Sequence, residues 1–195
     1  LMGKCERSKS KKKNGSNWRW ENFKKKTFAN KNRETFKTLE KVQKEPLNKN
    51  DLLHFVKNTP NFIGIYASDA VLNLSILKYP VSLIVNLDIS RLEGSHWLSI
   101  YINRKSVEIF DSLGMNPKLW GSYPSAIFKF LAAYSFSHNF YISPVIQPPF
   151  TLTCGLYCVF FIIYRQKFSF RYCVSQFSSD LSENNKKLYR LLIKK

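Results

Sequence analysis

Residues 147–158 constrain this chain more than any other stretch, because they place a cysteine where an extended loop turns into a buried helix. Pro148 and Pro149 keep the approach to Cys154 extended. Residues 159–164 are apolar without interruption and predict a helix packed in the core. We therefore expect a core helix whose first turn carries a thiol.

A cysteine in that position has the environment of a nucleophile. The first N–H groups of a helix have no intrahelical partner, and with the helix dipole they stabilise a thiolate. The same groups can hold an oxyanion, with the Gln147 amide as a further donor. Gly155 lets another part of the molecule come close to Cys154. Most buried cysteines only fill space, so a thiol hydrolase also needs a base and an acid.

Two predicted strands supply such a pair. Residues 96–102 and 107–111 flank the polar turn 103–106, a pattern typical of an antiparallel hairpin. His96 opens the first strand and Asp111 closes the second, so we expect their side chains to meet at one end. An imidazole held by a carboxylate accepts the thiol proton and later protonates the leaving amine. The candidate catalytic residues are therefore His96, Asp111, Gln147 and Cys154.

Each of these residues also has a structural interpretation. A His at the start of a strand is most often structural, and an Asp before Ser-Leu-Gly is most often a turn residue. Gln147 can cap a strand. His138, in a polar turn with no acid beside it, is the alternative base. The pattern alone leaves a thiol hydrolase as one interpretation among several.

The remaining segments predict one domain of helices and strands. We expect a helix at 51–58 behind an Asn50 N-cap, a strand at 81–88, a helix at 117–134 and a strand at 140–147. The nucleophile helix is expected to run to about residue 166, residues 167–178 to be irregular, and 180–193 to form an amphipathic helix.

Charge is distributed unevenly along the chain, whose net charge is +18. Residues 1–50 hold 16 Lys/Arg against 5 Asp/Glu, and residues 51–195 hold 15 against 8. We predict a basic, flexible arm at 1–49 and a folded domain at 50–195. Such a field favours nucleic acid, although Lys-rich tails are about as often merely solvated. The candidate nucleic-acid contacts are Lys11, Lys12, Lys13, Lys24, Lys25 and Lys26, which are interleaved with aromatic residues.

The four cysteines form no CxxC pair, and their spacing is not typical of a disulfide framework or a zinc site. We expect a reducing compartment and no metal. Residues 1–16 lack the apolar core of a signal peptide, which argues against secretion. The longest apolar run is too short to span a bilayer, so we expect no membrane association. Leu1 in place of Met is typical of a fragment, a processed product or a partial gene model.

Three blocks together resemble the adenovirus endopeptidase (adenain) family of cysteine proteases: His96-Trp97, residues 109–114 and residues 147–158. That family includes the proteases of Polinton or Maverick elements and their viral relatives. The resemblance covers roughly residues 50–165. The His-Trp pair and the Gln-x6-Cys-Gly-x-Tyr-Cys block are specific in combination.

The resemblance implies an α+β fold of the adenain and SUMO-protease type, with a central mixed sheet flanked by helices, at residues 50–195. It implies a triad of His96, Asp111 and Cys154, an oxyanion hole made by Gln147 and the Cys154 amide, and no cofactor. Gly94, Ser95 and Trp97 would border the substrate groove. The substrates would be capsid or core precursors of a virus or virus-like element, cut by a monomer in the nucleus or at the assembly site. DNA and a short peptide activate the adenovirus enzymes, so DNA is an expected partner.

The chain departs from the adenain pattern in two places. Asp111 stands where adenovirus enzymes often carry Glu, and Pro148-Pro149 is bulkier than the sequence they often have after the Gln. Proteases that remove SUMO-like modifiers share the His-Trp and Gln-Cys pairs but usually have five residues between Gln and Cys; the six found here favour the adenain side. The other alternative is a DNA-binding or structural protein with an inactive protease fold.

Overall fold

The computed structural model describes residues 45–76, 78–92, 94–115 and 123–193. The helices are α1 (Lys49–Val56), α2 (Ser125–Ala132), α3 (Cys154–Tyr164), α4 (Phe170–Ser175) and α5 (Asn184–Ile193). The strands are β1 (Phe62–Tyr66), β2 (Val81–Asn86), β3 (Trp97–Ile102), β4 (Ser106–Phe110) and β5 (Asn139–Ile142). Short 3-10 turns lie at Val71–Asn73 and Leu181–Glu183.

The five strands form one mixed sheet in chain order. The central strand β3 pairs antiparallel with β2 and β4, and the outer pairs β1–β2 and β4–β5 are parallel. Asn86 pairs with Trp97 and Ser99 pairs with Phe110, so the end of β2, the start of β3 and the end of β4 share one edge. The predicted α+β architecture, a mixed sheet flanked by helices, is confirmed.

The core has two apolar layers, because alternate side chains of a strand point to opposite faces of the sheet. Ile84, Tyr101 and Phe110 face the layer that contains α3, whereas Leu83 and Ile100 face the layer that contains α2. Every residue of β2, β3 and β4 is buried. Helix α3 is buried from its first residue through Ile162, which explains why its sequence is apolar without a polar stripe.

The first helix begins earlier than predicted, because Asn48 rather than Asn50 is its N-cap. The Asn48 side chain accepts hydrogen bonds from the N–H groups of Asn50 and Asp51. The Asp51 carboxylate accepts one from the Asn48 N–H in return. These bonds satisfy three of the donors that a helix start leaves without partners, and the reciprocal pair of Asn48 and Asp51 is a capping box.

The prediction that residues 167–178 are irregular is wrong, because they contain helix α4. Ser169 caps it by accepting a hydrogen bond from the Tyr172 N–H, and Cys173 is buried against the core. Two other boundaries differ. Strand β5 ends at Ile142, so a loop rather than a strand leads to Gln147, and the last helix begins at Asn184 after a 3-10 turn. Part of the helix predicted at 117–134 lies outside the described residues.

Candidate active site

His96 and Asp111 meet at the shared edge of the sheet, as the hairpin predicts. His96 lies immediately before β3 and Asp111 immediately after β4. The His96 Nε2 and Asp111 Oδ1 atoms are 2.8 Å apart. The His96 carbonyl also accepts a hydrogen bond of 3.0 Å from the Leu87 N–H, which fixes its backbone beside the end of β2. Both side chains are buried.

Hydrogen bonds to both the carboxylate and the backbone of Asp111 hold this residue in place. Its Oδ1 accepts a second hydrogen bond from the Leu113 N–H at 2.9 Å, and its Oδ2 accepts one from the Tyr123 hydroxyl at 2.9 Å. The Ser143 hydroxyl accepts a bond from the Asp111 N–H at 2.9 Å and donates one to the Asp111 carbonyl at 2.7 Å. Burial, and then the Asp111 charge, raise the pKa of Tyr123, so its hydroxyl stays protonated and donates.

Cys154 is the third member of the group, and it lies at the start of α3 with 7% of its surface exposed. Burial alone would lower the pKa of His96, but hydrogen bonds to Asp111 and Cys154 and the charges of both raise that pKa to about 9. Since Nε2 bonds to Asp111, Nδ1 is the ring nitrogen left for the Cys154 sulfur. A protonated imidazole beside a sulfur is the environment that stabilises a thiolate.

The start of α3 is open to an oxyanion. Thr153 precedes the helix without making a side-chain cap. Its hydroxyl instead bonds to the Asn185 side-chain oxygen at 3.1 Å, and its carbonyl accepts from the N–H groups of Leu156 and Tyr157. As the first residue of the helix, Cys154 carries one of the N–H groups that have no intrahelical partner and can donate to an oxyanion.

Gln147 lies beside this helix start with 4% of its surface exposed. Its Nε2 donates to the Thr151 carbonyl at 2.7 Å, and its Oε1 accepts from the Ser112 hydroxyl at 2.7 Å. An amide nitrogen carries two N–H groups, so the bond to Thr151 leaves one available. This arrangement gives the site a second donor for an oxyanion.

The three predicted substrate-groove residues have different surroundings. Trp97 is buried, donates through Nε1 to the Leu47 carbonyl at 3.0 Å, and lines a cavity of about 280 Å³ together with Tyr66 and Asn86. Gly94 has a φ of +103°, and a Cβ there would lie 2.0 Å from the Asn86 Nδ2 atom, so only glycine fits. Ser95 is exposed.

The alternative base, His138, is at the other end of the sheet. It precedes β5, whose Asn139 pairs with Ser106 at the start of β4, whereas Asp111 follows the end of that strand. Its Nδ1 bonds to the Ser137 hydroxyl at 2.8 Å, and its ring packs edge-on against Tyr134. His138 is thus separated from the Cys154 site by the length of β4.

The other cysteines of the described residues have structural surroundings. Cys158, one turn after Cys154, is fully buried, and burial raises its pKa well above the usual value. Burial also raises the pKa of Cys173 to about 12. Within the part of the chain that the structure describes, no group of three or more His, Cys, Asp or Glu side chains is placed to hold a metal ion. No helix in that part is long and apolar enough to cross a bilayer.

Sequence reasoning missed three residues of this site: Ser112, Tyr123 and Ser143. Tyr123 and Ser143 reach Asp111 from positions 12 and 32 residues along the chain, so no local pattern pointed to them. The six predicted nucleic-acid contacts, Lys11, Lys12, Lys13, Lys24, Lys25 and Lys26, lie outside the described residues.

No protein-family model and no curated protein matches this chain. It is similar to two crystal structures of the ASFV pS273R protease. One is 21% identical over 58% of this chain and 43% of that chain with a TM-score of 0.39. The other is 17% identical over 68% and 59% with a TM-score of 0.46. The present chain spans about half the length of that protease.

A third similar structure is the SUMO protease Ulp1, with its catalytic cysteine oxidised to a sulfonic acid. It is 18% identical over 83% of both chains, with a TM-score of 0.41. Sequence identities and TM-scores this low do not assign roles to single residues. The roles of His96, Asp111, Gln147 and Cys154 are therefore argued from the geometry of this site.

Proposed function

We propose that this chain is a cysteine endopeptidase that cleaves capsid or core precursor proteins of a virus or virus-like element. The observation that supports the proposal is the 2.8 Å contact of His96 with a buried carboxylate, together with the nearby Cys154, whose hydrogen bond and charge help to raise the pKa of His96. The enzyme acts as a monomer, in the nucleus or at the site of virion assembly.

The reaction follows from the positions of these groups. The Cys154 sulfur attacks the carbonyl carbon of the scissile bond, and the carbonyl electrons move onto oxygen. The Cys154 N–H and the Gln147 amide stabilise that oxyanion. As it collapses, the C–N bond breaks and His96 gives its proton to the leaving amine, which leaves a thioester. His96 then takes a proton from water, whose oxygen attacks the thioester and releases Cys154.

The substrate class is proposed from the sequence. The six residues between Gln147 and Cys154 are the spacing of adenain-like proteases, whose substrates have small residues, especially Gly, around the cleaved bond. Removal of a SUMO-like modifier is the alternative, and the same mechanism would serve it.

The test uses Cys154→Ala and His96→Ala, with Cys158→Ala as the control for a cysteine that lies one turn away. Substrates are a precursor with Gly-rich sites and a SUMO-like fusion protein. We expect cleavage of the precursor by wild type and Cys158→Ala, and none by the other two variants. Equal cleavage by Cys154→Ala would reject the peptidase. Cleavage of the fusion alone would replace the proposed substrate with a modifier.

We propose DNA as a second partner, on the strength of a different groove. This groove, of about 410 Å³, is lined by Lys105 and Arg171, by the paired Arg165 and Glu108, and by the rings of Tyr141 and Phe170. The exposed cations Lys105 and Arg171 beside these rings suit the backbone and bases of a single strand. Fluorescence anisotropy with a short DNA oligonucleotide should show affinity that falls with salt and falls further in Arg171→Ala. Unchanged affinity in that variant would remove the groove from the proposal.

A further inference from the structure

The Gln147 side chain is held at both ends by groups that the reaction does not consume. The Ser112 hydroxyl donates to Oε1 at 2.7 Å, and the Thr151 carbonyl accepts from Nε2 at 2.7 Å. Ser112 is 1% exposed and Gln147 is 4% exposed, so water does not compete freely for either bond. An amide at the oxyanion site is useful only if its nitrogen, and not its oxygen, points there.

The torsion of a Gln amide has two nearly equivalent orientations, which exchange oxygen and nitrogen. The Thr151 carbonyl disfavours the exchanged form. It can only accept a hydrogen bond, and in that form it would face the Oε1 atom of Gln147, which is also an acceptor. Ser112 completes the selection with a donor at the opposite end. A hydrogen bond to Oε1 also polarises the amide and strengthens its free N–H as a donor. Thr151 and Ser112 thus fix one orientation of the Gln147 amide and make its free N–H a stronger donor.

The loop before Cys154 is shaped to bring the Thr151 carbonyl to Gln147. Phe150 has a φ of +58°, a left-handed conformation that is unfavourable for a bulky residue, and its ring is fully exposed. The Thr151 hydroxyl donates to the Pro148 carbonyl at 2.8 Å and closes the turn. Backbone strain in this loop therefore accompanies the contact that selects the amide orientation.

Ser112 also connects the oxyanion donor to the base. It follows Asp111, and its carbonyl accepts from the N–H groups of Ile146 and Gln147 at 3.0 and 2.9 Å. Gly114 closes the turn with an N–H bond to the Asp111 carbonyl at 2.9 Å. One turn after β4 thus carries the carboxylate for His96 and the hydroxyl for Gln147.

We propose that Ser112 is a positioning residue that orients the Gln147 amide toward the oxyanion. The proposal depends on the proposed function, since it assigns a task within the same site. Ser112→Ala should lower kcat about tenfold with little change in KM, because one neutral hydrogen bond behind the donor is lost. Gln147→Ala should cost about 100-fold or more, because the donor itself is lost.

The test uses two probes besides turnover. A glycine-terminated tripeptide aldehyde adds to Cys154 and places an oxygen in the oxyanion site, whereas iodoacetamide alkylates the sulfur without one. Ser112→Ala should bind the aldehyde about tenfold more weakly and react with iodoacetamide at the wild-type rate. In a Gln147→Ala background, Ser112→Ala should have no further effect on aldehyde affinity. Ser99→Ala, another fully buried serine of this region, is the matched control and should change neither probe.

Three results would overturn the role of Ser112: unchanged aldehyde affinity in Ser112→Ala, an equal loss in the Gln147→Ala background, or a parallel loss of alkylation. If Ser112→Ala does not fold, Ser112→Cys is measured instead, and its weaker donor should give an intermediate loss of aldehyde affinity. Failure of the proposed function has a different signature, because wild type would then cleave no more substrate than Cys154→Ala does.

Discussion

The proton on His96 depends on both other buried groups of the site, Asp111 and Cys154. The pKa of His96 rises to about 9 although burial opposes its charge, so the bonds and charges of Asp111 and Cys154 outweigh desolvation. Near neutral pH, His96 therefore carries a proton, which passes to the leaving amine in the proposed reaction. The Tyr123 and Leu113 donors keep Asp111 in place for this role.

The first prediction concerns the alkaline limb of the pH profile. We expect kcat/KM to fall as pH rises above about 9, because His96 then loses the proton it must donate. Asp111→Asn removes the charge that raises the pKa of His96, so the limb should move to lower pH and kcat should fall by about 100-fold or more. Peptide hydrolysis measured across the pH range gives both values. If the alkaline limb does not move in Asp111→Asn, Asp111 is not the group that raises the pKa of His96.

The second prediction concerns the reactivity of individual thiols. In a Cys5→Ser background at neutral pH, iodoacetamide should label Cys154 and spare Cys158 and Cys173, whose burial raises their pKa values. His96→Ala should slow the labelling of Cys154 more than tenfold, because the adjacent positive charge is gone. Peptide mapping by mass spectrometry reads out each site. Labelling of Cys158 at the rate of Cys154 would show that neither the helix start nor the neighbouring His96 sets Cys154 apart from a buried thiol.

At the scale of elements, the hairpin and α3 together build the site. Strands β3 and β4 bring His96 and Asp111 to one edge, and α3 packs against the face of β3 that carries Tyr101. The far end of α3 is tied to β4 by the buried pair of Arg165 and Glu108, with distances of 2.6 and 2.9 Å. The Arg165 guanidinium also lies 4.0 Å from the centre of the Tyr101 ring.

The third prediction tests this tie between α3 and β4. Glu108→Ala should lower the free energy of unfolding by about 3 kcal/mol, because it leaves the Arg165 charge largely buried without its partner. Urea denaturation measures the change. Glu183→Ala removes the acid from an exposed pair with Lys186 and is the control, where little change is expected. A loss no larger than that of the control would mean that solvent reaches Arg165 readily.

Which elements the sequence predicts depends on how local their determinants are. The hairpin is predicted because its turn and strands are contiguous, and the contact of His96 with Asp111 follows from pairing alone. Helix α4 is missed because six residues are too short to show a helical period. The Asn48 N-cap is missed although Asp51 stands three residues later, the spacing of a capping box. Tyr123 and Ser143 depend on tertiary packing, which no local pattern encodes.

At the scale of the whole molecule, the site contributes to stability in a pH-dependent way. The pKa of His96 is about 9 in the folded chain, above the usual 6.5 of a histidine, so the folded chain binds this proton more tightly. The stabilisation is fully present below about pH 6.5 and is lost as pH rises through about 9. The candidate site is therefore stabilised by the same proton that the proposed reaction uses.

The fourth prediction follows from that sign. The free energy of unfolding of the wild type, relative to His96→Ala, should be largest below pH 6.5 and should shrink between pH 6.5 and 9. Thermal or urea unfolding of both proteins across this range measures the difference. A difference that grows toward pH 9 would mean that His96 is neutral in the folded chain.

The position of Leu47 has a practical consequence for anyone who shortens the chain. The Leu47 carbonyl accepts the Trp97 indole bond, and its side chain would lie 3.1 Å from a Cβ placed on Gly155. A clone that started at the predicted boundary of residue 50 would delete this acceptor and the Asn48 cap, and it would uncover apolar surface beside the nucleophile helix. Recombinant material meant to keep a native cleft should therefore start no later than residue 45.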